Sequence, residues 1–211
     1  MAEPRTSRTA RTRRTALAAS AAALALLVSA CGGSASGDEP FAGEVLDNPY
    51  QVDPTPLTAT DGSDFSLVGD TDARLTLVFF GYTQCPDICG VVMAQLASAV
   101  QQLDAEDRDD VEMVYVTTDP ARDSPGVLRS YLDRLDPSFE GLTGDLDAIE
   151  QVASSLAVAF IEEDRLPSGG YEVAHSTQVL GIDSADEVPV LWTEETTATE
   201  YAADIHTLLT S

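Results

Sequence analysis

A chain of 211 residues, 44% of them hydrophobic, can bury one sizeable core but leaves little for a second full domain once its N-terminal segment is set aside. It has no lysine, and beyond residue 30 six arginines stand against thirty-five acidic residues, a formal charge of −29. Such a surface repels nucleic acid and anionic headgroups, which argues against phosphate-backbone binding and fits a solvated acidic face.

Residues 1–14 are rich in Arg and Thr, and 16–30 form an Ala/Leu run too short for a comfortable membrane span. A short apolar core behind positive charge and ahead of small residues predicts an export signal over 1–30. The run ends Leu27-Val28-Ser29-Ala30-Cys31, followed by Gly-Gly-Ser, and resembles the bacterial lipoprotein box, with Val28 where leucine is usual. Cys31 is then the lipidated first mature residue, holding an exported protein to the outer face of the cytoplasmic membrane by its lipid alone. An ordinary signal peptide with an incidental cysteine is the competing reading. Lipidation consumes one of three cysteines and leaves Cys85 and Cys89 as a pair. Residues 31–56, rich in Gly, Ser, Asp and Pro, read as a tether of roughly 80 Å when extended.

The domain is expected over 57–211. Leu57 to Leu67 around Asp61-Gly62 predicts a hairpin. Leu75 to Phe80 predicts a strand, and Cys89, Val92, Met93, Leu96, Val100 and Leu103 trace one face of a helix over about 88–103. A strand over Val111–Thr117 and a helix opened by Ser124-Pro125 follow, with Gly141–Gly144 as a short connection. Next come a helix from Asp145 to Ala157, a short strand Val158–Ile161, a turn at Ser168-Gly169-Gly170 and a strand Thr177–Ile182. A strand Val188–Trp192 and a helix Thr197–Leu209 close the chain. The order implies an α/β fold, a mixed sheet covered by helices on both faces with an N-terminal β-hairpin extension. A thiol pair at the first strand-to-helix turn makes the plan thioredoxin-like.

Gly81-Tyr82-Thr83-Gln84-Cys85-Pro86-Asp87-Ile88-Cys89-Gly90 carries the chemistry. A helix start favours thiolate over thiol. Three residues separate the cysteines, not the two of disulfide-exchange enzymes, and a helical i, i+4 relation would put both sulfurs on one face. The pair could bridge, or jointly hold a soft metal such as monovalent copper, with zinc the usual competitor. A third ligand must come from His175 or His206. His206 falls within the last helical pattern and reads as a surface or packing residue. His175, in Val173-Ala174-His175-Ser176-Thr177 just before a strand, stands in the loop that faces the thiol turn in this plan. Asp119 is expected near the site, either orienting His175 or the turn, or merely capping a helix or making loop hydrogen bonds. Asp87 reads as a complement to the helix dipole, and Tyr82 and Pro86 as shaping the turn.

Phe80 to Cys89, Val116-Thr117-Thr118-Asp119-Pro120-Ala121-Arg122-Asp123-Ser124-Pro125, Gly141–Gly144 and Ala174-His175-Ser176 together resemble the motifs of the Sco/SenC family, in order and spacing over 57–210. The resemblance implies a thioredoxin-like copper metallochaperone, not an enzyme, with copper held by Cys85, Cys89 and His175. It implies as partner subunit two of cytochrome c oxidase, through delivery of copper to its dinuclear site or reduction of its cysteines, and possible exchange with other copper chaperones. Gly90 replaces a usual proline, Ala174 a common Asp, and Thr118 an apolar or small residue. A thiol–disulfide oxidoreductase of exported proteins is the alternative, and a peroxidase a third reading.

Overall fold

The computed structural model describes residues 41–167 and 169–211. The expected signal segment, Cys31 and the first part of the tether lie outside the described residues.

β4 (Leu75–Gly81) is the centre of the fold. All seven of its residues are buried, as a strand covered on both faces requires. It pairs in parallel with β5 (Val111–Thr117), which pairs in parallel with β6 (Glu140–Thr143). On its other side it pairs antiparallel with β9 (Val179–Asp183), which pairs antiparallel with β10 (Glu187–Trp192). The edges are β1 (Glu44–Gln51) against β10 and the hairpin β2 (Leu57–Ala59)–β3 (Asp64–Phe65) against β6. The result is the expected mixed sheet, eight strands wide in the order β1-β10-β9-β4-β5-β6-β2-β3.

Alternation along β4 divides the core. Leu77 and Phe79 point to one face, where they meet α1 (Ile88–Gln102), α3 (Pro125–Leu132) and α5 (Ala198–Thr210) through Met93, Leu96, Leu128, Leu132, Tyr201 and Ile205. Val78 and Phe80 point to the other, against Ile149, Val152 and Leu156 at α4 (Leu146–Ser155). Thr197 closes a reciprocal capping box with Glu200 at the start of α5.

Four elements differ from the sequence reading, one of them the strand Val173–His175 in a segment expected as a loop. Residues 44–51, expected as tether, form β1, so the folded domain begins before residue 57. This strand contains Pro49, tolerable because β1 lies at the sheet's edge, and its ladder is interrupted between Val45 and Tyr50. Gly141–Thr143, expected as a connection, belong to β6. Two glycines hide the strand pattern there, and Gly141 has no room for a side chain: a Cβ would lie 2.8 Å from Leu132 and 2.9 Å from Thr60. The short α2 (Ala105–Asp109), unforeseen, is capped by the Asp104 side chain, which accepts from the Glu106 and Asp107 amides.

The arrangement gathers one end of the sheet. The parallel strands β4 and β5 run out side by side at Gly81 and Thr117, and antiparallel β9 starts there, with Val179 opposite Phe79. The thiol turn, the loop after β5 and the segment before β9 therefore meet at the carboxyl ends of the parallel strands, where open α/β sheets place their ligand sites.

Candidate metal centre

Gly81 ends β4 and the chain turns sharply, the Cys85 amide donating to the Tyr82 carbonyl at 3.1 Å. The helix begins only at Ile88, with Asp87 at the cap position making no side-chain cap bond. Cys85 thus precedes the helix, and the expected i, i+4 helical relation does not apply to it. The turn nevertheless brings both sulfurs together, with half-buried Cys85 packed against the core and Cys89 1% exposed on the first turn of α1. Exposed Pro86 lies between the thiols.

The turn is anchored from beneath. Asp123, fully buried, accepts from the Thr83 amide at 2.9 Å, the Thr83 hydroxyl at 2.6 Å and the Thr117 hydroxyl at 2.8 Å. The Thr118 amide donates to the Gly81 carbonyl at 2.7 Å. A Cβ on Gly81 would lie 2.8 Å from the Tyr115 hydroxyl and 3.0 Å from Cys89 Sγ, so the backbone passes hard against the sulfur.

His175 arrives on a separate element. It ends β8 (Val173–His175), which pairs antiparallel with β7 (Phe160–Glu162) in a two-stranded sheet of its own. Its Nε2 lies 3.2 Å from Cys89 Sγ, and its Nδ1 lies 2.8 Å from the Ser176 carbonyl. That carbonyl can only accept, which places the proton on Nδ1 and leaves the Nε2 lone pair facing the sulfur. The imidazole stands edge-on to Phe79 and to Tyr82, each with ring centroids 6.0 Å away. The ligand atoms of Cys85, Cys89 and His175 all lie within 4.8 Å of one another, the one cluster of three such residues among the described residues.

Burial sets the protonation of the metal-free site. It pushes the Cys89 thiol far up, with the adjoining Cys85 thiol adding to the shift. Burial therefore outweighs the helix start that was expected to favour thiolate. Burial also lowers the His175 pKa, partly opposed by the Ser176 carbonyl, and keeps the ring neutral, the form that ligates metals. One side stays open: a shallow groove of about 410 Å³, lined by Ala159, Phe160, Ile161, Ala174, His175 and Ser176, leads to the imidazole.

Asp119 is buried near the site but makes no hydrogen bond to His175. It accepts from the Tyr171 hydroxyl at 2.9 Å and from Arg122 Nε, and its amide donates to the Thr117 hydroxyl. The histidine's orienting acceptor is instead the carbonyl of its neighbour Ser176, a backbone group with no sequence signature. His206 is removed from the cluster, its Nδ1 2.7 Å from Asp107 on α2. Sequence reasoning passes over Asp123, Thr83 and Tyr171. The first two lie within motif blocks that the sequence singles out, whereas Tyr171 carries no signal beyond its place in the loop before His175.

Comparison with known proteins agrees with this geometry. The chain is 33% identical over 135 residues to Protein SenC of Rhodobacter capsulatus, covering 60% of each. Its match takes in between 39% and 60% of the length of several curated relatives. The solution structure of apo Sco1 from Thermus thermophilus superposes with a TM-score of 0.73 at 28% identity, covering 82% of this chain and 99% of that one. Copper-bound ScoI of Bradyrhizobium japonicum gives 0.65 at 28% identity, covering 76% and 98%. The SCO1/SenC family model matches residues 49–210, nearly all of the folded part, and the chain belongs to that family of thioredoxin-like proteins.

Proposed function

We propose that the protein is a copper metallochaperone, holding the ion through Cys85 Sγ, Cys89 Sγ and His175 Nε2 and passing it on without turning over a substrate. The observation that carries the reading is the convergence of two sulfurs and one neutral imidazole nitrogen within 4.8 Å. Two thiolates and an imidazole suit monovalent copper, whereas structural zinc takes four protein ligands. Both thiols must lose their protons as the ion enters, so uptake releases acid. Cys89 is enclosed and fixed by the start of α1, while half-buried Cys85 and His175 offer an incoming acceptor ligand a side from which to approach.

The recipient in this reading is subunit two of cytochrome c oxidase, at its dinuclear copper site, with other copper chaperones as possible donors. Family membership supports it. The sequence Leu27-Val28-Ser29-Ala30-Cys31 supports a lipid anchor on the outer face of the cytoplasmic membrane. The reduced protein should take up one equivalent of Cu(I) in titration. Cys85→Ala, Cys89→Ala and His175→Ala should each weaken uptake by more than the ~10–100-fold that loss of an outer-shell partner costs. Undiminished affinity in the His175 variant would sink the three-ligand site.

Thiol–disulfide exchange is the second reading, favoured by the asymmetry of the pair: half-buried Cys85 can attack and enclosed Cys89 can resolve. The two thiols reduce a partner disulfide and end as the Cys85–Cys89 disulfide, two electrons and two protons passing to the partner. Exchange that survives His175→Ala while copper uptake fails would separate the two activities.

A further inference from the structure

The ligand histidine comes from a ribbon with little support of its own. Among the described residues β8 has no ladder to the eight-stranded sheet; it pairs only with β7, through Phe160–His175, Ile161–Ala174 and Glu162–Val173. An isolated two-stranded ribbon is marginal in water, so side chains must seat it. Val173, 5% exposed and on the same face of β8 as His175, supplies an apolar contact, the one buried hydrophobic side chain of the strand.

Beside the Cys89–His175 contact and a hydrogen bond between the Tyr82 hydroxyl and the Val173 backbone, the polar attachments of the segment entering β8 run to the loop after β5. The Tyr171 hydroxyl, four residues before His175, donates to Asp119 Oδ1 at 2.9 Å. Arg122 Nη1 donates to the Tyr171 carbonyl at 3.0 Å, and the guanidinium lies 3.7 Å from the Tyr171 ring centroid. Arg122 Nε in turn pairs with Asp119, which is 4% exposed. The same guanidinium lies 5.5 Å from the Tyr82 ring, which stands nearly perpendicular to the His175 imidazole. Tyr171 is thus gripped at its hydroxyl, its carbonyl and its face by two residues of one loop, and a planar bidentate cation can do this where an ammonium cannot.

We propose that Asp119 and Arg122 are positioning residues that seat His175 in the metal site by latching Tyr171. They touch neither the sulfurs nor the imidazole and act through the β7–β8 ribbon. The loop then sets both halves of the site, since Asp123, four residues after Asp119, anchors the thiol turn through Thr83. The inference rests on His175 being a ligand.

The test is a double-mutant cycle on the reduced protein, read by Cu(I) affinity, with NMR of the metal-free protein as a second readout. Tyr171→Phe removes the bond to Asp119 but keeps the ring, and should weaken Cu(I) binding about 3–10-fold. Arg122→Leu should cost ~10–100-fold, the range for outer partners of metal ligands, and Arg122→Lys should not restore it. In a His175→Ala background both losses should disappear, because an effect routed through the imidazole has nothing left to act on. In the metal-free protein, Tyr171→Phe should shift the His175 imidazole resonances and speed amide exchange at Ala174 and His175, while Thr83 is unchanged. Affinity losses that persist in full without His175, or an unperturbed His175 in the metal-free Tyr171→Phe protein, would overturn the latch. If Arg122→Leu does not fold, Tyr171→Phe carries the test. If the wild type takes up no Cu(I), the metal reading fails while the metal-free arm still decides whether Tyr171 seats His175.

Discussion

Cys89 Sγ and His175 Nε2 lie 3.2 Å apart although 86 residues separate them in the chain. The contact joins the first turn of α1 to the end of β8, and it closes because β4 and β9 run antiparallel with Phe79 opposite Val179. It also makes the two thiols unequal. Cys89 is shut between the imidazole, Tyr115 and the Gly81 backbone, with its pKa raised by burial. Alkylation follows thiolate content and access, so iodoacetamide should modify Cys85 at least ~10-fold faster than Cys89. Peptide mass spectrometry over a time course would read this, and equal rates at the two cysteines would contradict the enclosure.

Gly81→Ala tests how tightly the turn is built. The new methyl would sit 2.8 Å from the Tyr115 hydroxyl and 3.0 Å from Cys89 Sγ, and Tyr115 is fully buried and cannot swing aside. Overpacking of this kind costs about 1–3 kcal/mol. Urea unfolding should show that loss together with faster labelling of Cys89 as α1 is pushed outward. A variant of unchanged stability would mean that the turn has slack.

Leu75–Phe80 and the 88–103 pattern are legible in the sequence because their periods, a continuous apolar run and a 3.6-residue repeat, match a buried strand and an amphipathic helix without conflict. β6 is not, since Leu132 and Thr60 crowd position 141 so closely that only glycine fits, and glycine erases the strand signature. β1 is not, because an edge strand carries Asp, Asn and Pro and takes its order from Trp192 and Asp204 far along the chain. In the site, residue types point to Cys85, Cys89 and His175, which the fold brings together, but they leave the role of Asp119 open between orienting His175 or the turn and plain capping or loop hydrogen bonding. Its link toward His175 passes through Tyr171, 52 residues away, and no local pattern encodes that.

Asp204 ties the beginning of the described fold to its end. Its buried carboxylate accepts from Trp192 Nε1 at 2.8 Å, the Gly43 amide at 2.8 Å and the Ala42 amide at 3.0 Å. The segment passes close to the indole, where a Cβ on Gly43 would come 2.8 Å from Trp192 Nε1. Asp204→Ala leaves three donors without an acceptor and should cost about 2–4 kcal/mol. Asp204→Asn, which keeps one acceptor oxygen, should cost less. Hydrogen exchange should rise first at Ala42 and Gly43, and protection unchanged at those amides would show that Asp204 does not hold the segment.

Glu112 should reveal itself through pH. It is half-buried on β5, and burial, followed by repulsion from Glu140 and Asp72, raises its pKa above the ordinary 4.5. A raised carboxyl pKa means that the folded state binds the proton more tightly than the unfolded chain does. Below 4.5 both states are protonated and the residue costs nothing; as pH rises through the folded value the charged form must be held in place, and the penalty persists at neutrality. Glu112→Gln removes that charge and should stabilise the protein at pH 7, by no more than about 1 kcal/mol for a half-buried polar site. The advantage should shrink to nothing by about pH 3.5, where wild type carries no charge there either. Paired urea unfolding curves at the two pH values measure it. A stabilisation that is the same at both would mean that packing of the amide, not relief of a buried negative charge, is responsible.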